Sequence, residues 1–206
     1  YGIAILGYTQ DQNEALDRFR ETTEVDLENF SNHNNVALEG LYRLNEEWQL
    51  KLGIALQGMY SNWVLSKSEF LAKLTDVNIE RSYQLVNLYI GANYTFWRPS
   101  DKYRWYVGYD IGGSTLISRI KQSYLPTSGD RVDRDDSYTY SKFALKLDLG
   151  IEYQLSSSFM LGVELGTQIL GEFDTSGEEI PASLPVELHE VLYPEKINAS
   201  ALRFAA

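Results

Sequence analysis

The chain has 206 residues, 44% of them hydrophobic, with no cysteine and a formal net charge of -11. That size suits one all-β domain or two small ones. The missing thiols exclude disulfide staples and thiolate metal sites, and the acidity argues against nucleic acid as a partner. No run approaches the roughly eighteen apolar residues of a membrane helix. A mean hydropathy of -0.30 says nothing about membrane strands, in which only alternate residues meet lipid. The opening Tyr1 reads as the start of a mature or trimmed product.

Taken in chain order, apolar residues recurring at every second position predict strands. A first strand over 2–9 precedes a long polar segment, 10–34. A second strand, 35–44, turns through Asn45 and Glu46 into a third, 48–60. There Trp48, Leu50, Leu52, Ile54, Leu56, Gly58 and Tyr60 share one face. A long segment, 61–82, leads to a fourth strand, 83–97, and "RPSDK" turns it into a fifth, 103–118. After a third long segment, a sixth strand covers 138–155, and "SSS" turns it into a seventh, 159–173. A fourth long segment, 174–196, precedes the eighth strand in "INASALRFAA". Long and short connections alternate strictly, which places all short turns at one end of an up-and-down antiparallel barrel. No repeat, low-complexity tract or linker divides the chain, so a single domain over 1–206 is expected.

Each strand has one uncharged greasy face, such as Val86, Leu88, Ile90, Ala92, Tyr94 and Phe96, or Phe143, Leu145, Leu147, Leu149, Ile151, Tyr153 and Leu155. The opposite face carries acids and bases in balance. Its expected lumen network is Glu39, Arg43, Lys51, Arg104, Asp110, Lys146, Asp148, Glu152, Glu164 and Arg203. Glu172 and Lys142 belong to the same face. Eight strands enclose just enough space for such side chains, and charges buried there persist only as partners. Aromatics band at both strand ends. Trp48, Trp97, Tyr103, Trp105 and Phe159 flank the short turns; Tyr60, Tyr138, Tyr140 and Phe173 flank the long loops. Together with Phe96 and Phe143 they read as lipid-facing girdle residues. The greasy face is expected to meet lipid.

This pattern resembles the small eight-stranded bacterial outer-membrane β-barrels of the OmpA/OmpX type over nearly the whole chain. The resemblance rests on architecture. It implies an all-β, eight-stranded antiparallel up-and-down transmembrane β-barrel with short periplasmic turns and long extracellular loops, integral to the bacterial outer membrane. Such barrels usually end on an aromatic residue, whereas here Phe204 is followed by Ala205 and Ala206; a continuing chain or an unusual terminal signal is expected.

The catalytic inventory is thin. His33 and His189 both fall in expected loops. Ser31 and His33, with Glu28 near, match in kind the residues of family members that cleave or transfer lipid A acyl chains. Their deacylase motif, however, places serine after histidine, and here the order is reversed. No nucleophile–base–orienter set assembles, so no enzyme and no cofactor are expected. "GDRVDRDD" gathers Asp130, Asp133, Asp135 and Asp136, but Arg131 and Arg134 interleave and the spacing is not that of a calcium loop. It reads as a solvated charged loop, and no metal is expected. "GYDIGG" sits within a strand and is not a dinucleotide fingerprint; its glycines make room for bulky neighbours in the wall.

Function is therefore expected in the loops. Segment 10–34 holds seven acids and two bases, and 174–196 six acids and one base. The two should form an acidic patch at the rim, open to divalent cations bridging to lipopolysaccharide or to a basic partner. "SKSEFLAKL" and "PVELHEVLY" place Phe70, Leu71 and Leu74, and Leu188, Val191 and Leu192, at helical spacing. With Trp63 these are expected to form a cap whose outer face binds a protein partner. The expected function is a non-enzymatic structural anchor, adhesin or subunit of a surface assembly, with lipid bilayer and lipopolysaccharide as its surroundings. A narrow channel for small solutes is the alternative, and a lipid A-modifying enzyme a third reading.

Overall fold

Alternation sets the architecture, and it runs further along the chain than the charged segments suggest. The computed structural model describes residues 2–6, 13–14, 16–18, 20–21, 31–65, 74–126, 129–156, 159–184, 186–199 and 201–205. The chain is all-β. Its strands are β1 (Gly2–Leu6), β2 (Ser31–Arg43), β3 (Trp48–Leu65), β4 (Leu74–Ser100), β5 (Tyr103–Pro126), β6 (Val132–Ser156), β7 (Phe159–Ile169), β8 (Glu172–Asp174), β9 (Lys196–Asn198) and β10 (Ala201–Ala205). The described residues among 13–21 are helical, and a 3-10 turn (Val186–Leu188) leads into a short helix (His189–Leu192). Among the described residues no helix is long and apolar enough to cross a membrane.

The main sheet is ordered β1-β10-β7-β6-β5-β4-β3-β2, antiparallel throughout, so β2 to β7 form a six-stranded up-and-down run. β1 lies beside β2, the other end of the sheet, but among the described residues no ladder joins them. The sheet is strongly curled. Lys51 on β3 reaches Asp148 on β6 at 2.7 Å, and Glu39 on β2 reaches Lys146 on β6 at 3.3 Å. The turn after β2 is fixed by Asn45, whose Oδ1 accepts the Glu47 and Trp48 amides at 2.9 and 2.8 Å.

Two long connections are mostly strand. The segment expected to loop from 119 to 137 continues β5 to Pro126 and starts β6 at Val132. The segment 61–82 continues β3 to Leu65 and starts β4 at Leu74. Arg119, Lys121, Asp133 and Asp135 disguise this continuation, because they face outward while Ile120, Gln122 and Tyr124 face in. The expected seventh and eighth strands are instead each broken in two. Gly171, at φ +68°, lets the chain leave the wall after β7, and β8 pairs with β9. The excursion between them, with Thr175 N bonded to Glu195 O at 2.8 Å across its neck, is a lid. Its segment over 174–196, expected as an acidic rim loop, folds over one end of the sheet.

The interior has two layers. Beneath the lid lies an apolar core: Val77, Ile79, Tyr83, Leu85, Leu116, Ile120 and Tyr124 of the wall against Phe173, Leu184, Leu188, Val191, Leu192, Tyr193 and Ile197 of the lid. Leu16 of the helical stretch is buried in the same cluster. Below it, towards the short turns, the interior is polar and charged.

Candidate functional site

The polar layer is built by inward positions of the six consecutive strands β2 to β7. Lys51 Nζ lies 2.9 Å from Asp110 and 2.7 Å from Asp148, with all three side chains fully buried. Lys146 Nζ lies 2.9 Å from Glu164, 3.1 Å from Asp148, 3.3 Å from Glu39 and 3.5 Å from Asp110. Two bases therefore hold four acids in one cluster. Tyr89 Oη donates to Glu39 at 2.5 Å and Tyr106 Oη to Glu164 at 2.9 Å. The Tyr89 ring lies across Gly53 and the Tyr106 ring across Gly150, where any Cβ would overlap the aromatic carbons. Asn87 accepts from Ser114 and from Gln168, the latter at 2.8 Å. The arrangement lines the interior with mutually paired charges and hydroxyls, although Asp148 Oδ1, Asn87 Nδ2 and both amide atoms of Gln57 are buried without a hydrogen-bond partner.

Six of the ten residues expected in the lumen network thus converge: Glu39, Lys51, Asp110, Lys146, Asp148 and Glu164. Arg104 and Glu152 form a separate buried pair nearer the short turns, with Nε to Oε2 at 2.5 Å. Arg43 is exposed and has no ion pair among the described residues, but it pairs in register with the buried Gln49 and lines the same small cavity as Arg104 and Glu152. Only the backbone of Arg203 is described, in register with Gly166 of β7.

The outer face is apolar around the curl. Leu38 is 73% exposed, Leu52 60%, Leu88 60% and Phe143 63%, and their neighbours on β5 and β7 are exposed with them. Near the short turns Trp48 packs on Tyr94 at 4.9 Å, Trp97 on Trp105 at 5.6 Å and Tyr103 on Tyr153 at 4.6 Å between ring centroids. Phe96 is exposed in the same band; only the backbone of Phe159 is described. The band expected at the other end is corrected. Tyr138 and Tyr140 are on the inward face of β6, opposite in parity to Phe143, and Phe173 is completely buried under the lid. Tyr60 keeps its outward parity.

The expected partner surface is corrected in the same way. Leu188, Val191 and Leu192 are helical but turned inward and buried, because their apolar side joins the core cluster that the wall residues build. Phe70 and Leu71 lie outside the described residues. Trp63 ends in β3 and Leu74 opens β4, each described by backbone alone. His33 and Ser31 belong to β2, and His189 Nε2 lies 3.0 Å from the Leu184 carbonyl oxygen. Asp133, Asp135 and Asp136 are strand residues paired with arginines: Arg131 with Asp133, Arg119 with Asp135, and Arg134 with Asp136. The two hydrogen bonds from Arg119 hold the Asp135 carboxyl below its ordinary value.

A second polar cluster, absent from the expected network, lies above the apolar belt. Arg81 is buried, with Nη2 at 2.6 Å from Glu178 of the lid and Nε donating to Tyr83 Oη at 2.8 Å. Burial disfavours the Arg81 charge, but Tyr83 and Glu178 outweigh it and hold its pKa above the ordinary arginine value. Burial pushes the Tyr193 hydroxyl up to about 12, and Gln122 Nε2 donates to it. One signal could have found Arg81: Val77, Ile79, Arg81, Tyr83 and Leu85 share one face of "VNIERSYQL". Nothing local marks Glu178.

No known protein family matches the chain, and no curated protein matches it.

Proposed function

We propose that the protein is an integral β-barrel of the bacterial outer membrane, closed by β1 against β2, that acts without catalysis as a surface anchor, adhesin or assembly subunit. The observation that carries this reading is the continuous exposed apolar face. Soluble monomers rarely expose contiguous apolar patches above a few hundred Å², whereas here such residues line β2 to β7, and over the same stretch Lys51, Asp110, Lys146 and Asp148 are inside. Apolar outward positions run from Trp48 to Tyr60 on β3 and from Phe143 to Leu155 on β6, enough for tilted strands to cross a hydrocarbon core. An open sheet edge is not tolerated in lipid, which supports closure of β1 on β2. The resemblance to eight-stranded outer-membrane barrels points the same way.

The loops then become an extracellular head. β4, β5 and β6 rise above the belt as a sheet, and β6 pairs with β7 only from Leu145 onward. Residues 132–141 therefore present an edge with no ladder partner among the described residues, suited to an added strand from another protein. The alternative of a narrow channel is disfavoured because the Lys51–Lys146 cluster occupies the interior.

The test is extraction and electrophoresis. The protein should need detergent to stay monodisperse, migrate differently boiled and unboiled, and incorporate into liposomes. Equal mobility and a monodisperse detergent-free state would sink the membrane reading. Mass spectrometry of the gently extracted protein should show a stoichiometric companion if the head docks one, and planar-bilayer current would favour the channel.

A further inference from the structure

The wall around Arg81 has the chemistry of a carboxylate receptor. Three strands supply it: Arg81 from β4, Ser118 from β5 and Tyr140 from β6. Each donates to the same carboxylate, Arg81 Nη2 at 2.6 Å to Oε2, Ser118 Oγ at 2.5 Å and Tyr140 Oη at 3.4 Å to Oε1. The Tyr83 and Tyr193 rings lie 4.6 and 5.7 Å from the guanidinium carbon and exclude water from it. Arg81 and Ser118 are fully buried, and Arg81 Nη1, equally buried, has no hydrogen-bond partner. The wall therefore offers a fixed cation and two hydroxyls, a donor set that selects a planar anion with two acceptor oxygens.

The group that fills this receptor does not belong to the wall. Glu178 comes from the lid, which leaves the sheet at Gly171 and is tied at its neck by β8 and β9. We propose that Arg81, Ser118 and Tyr140 form a binding site for a small carboxylate, and that Glu178 is its built-in ligand, latching the lid. A free monocarboxylate takes the same place when the Glu178 side chain is withdrawn. The site lies above the apolar belt and stands whether or not that belt meets lipid.

The test removes the built-in ligand and supplies acetate. Full-length Glu178→Ala is titrated with sodium acetate against sodium chloride at equal ionic strength. Acetate should raise its melting temperature saturably, by about 3 °C. The wild type should respond equally to both salts, and adding Arg81→Met should abolish the response. If Glu178→Ala yields no folded protein, refolding is the readout: recovery in acetate but not chloride supports the site, and recovery in neither overturns it. An acetate response that is absent, or that survives Arg81→Met, also overturns it.

Discussion

Replacing Lys51 with methionine tests whether two lysines are needed to hold the four buried carboxylates. The substitution keeps most of the volume of the lysine stem but removes an ammonium at 2.9 and 2.7 Å from Asp110 and Asp148. Lys146 alone would then face four carboxylates, at 2.9 to 3.5 Å. At an effective dielectric near 20, each lost contact is worth about 4 kcal/mol before desolvation. Returning the buried ammonium to water recovers part of this, and breaking a buried pair typically costs about 3–5 kcal/mol net. Urea unfolding in detergent micelles, followed by tryptophan fluorescence, should therefore show a loss of about 3–5 kcal/mol for Lys51→Met. The triple variant Lys51→Met, Asp110→Asn, Asp148→Asn should recover most of it, since the two acids that lost Lys51 are neutral and Glu39 and Glu164 keep Lys146 as partner. A loss below about 1 kcal/mol for the single variant, the range of exposed pairs, would refute the reasoning. So would a triple variant as unstable as the single one.

Gly53→Ala should cost about 1–3 kcal/mol by forcing the Tyr89 ring off its seat and breaking its bond to Glu39; much of that cost should vanish in a Tyr89→Ala background, as measured by the same unfolding. Leu192→Ala, fully buried beneath the lid, should lose about 2–5 kcal/mol and speed proteolysis within the lid, an effect absent if the lid does not pack on the wall. Asp135 has a folded pKa below its unfolded 3.8, so its contribution is present above that value and is lost as pH falls through the folded pKa. Urea midpoints of wild type and Asp135→Asn should accordingly differ near neutral pH and converge in acid, and a constant difference would contradict the Arg119 pairing.

Much of this protein is determined locally. A strand's period of two sorts each hairpin into an apolar and a charged face wherever the strand lies, so the wall, its greasy outer surface and the inward place of Lys51, Asp110, Lys146 and Asp148 follow from adjacent residues alone. The short turns are equally local, as Asn45 shows. Where charge interrupts the pattern, at Arg119 to Asp136, the ion-paired outward residues give the segment the composition of a solvated loop, although Ile120, Gln122 and Tyr124 keep the strand's buried face. The rest depends on the curl of the sheet. Which acid meets which base is set by stagger between strands that are not neighbours, as when β3 meets β6. Tyr140 faces inward by its parity with Lys146, but Phe173 is buried only because the chain leaves the wall at Gly171, and Glu178 reaches Arg81, 97 residues away in sequence, only because the lid folds back over the wall. No local rule encodes that approach; burial of the lid's apolar side decides it.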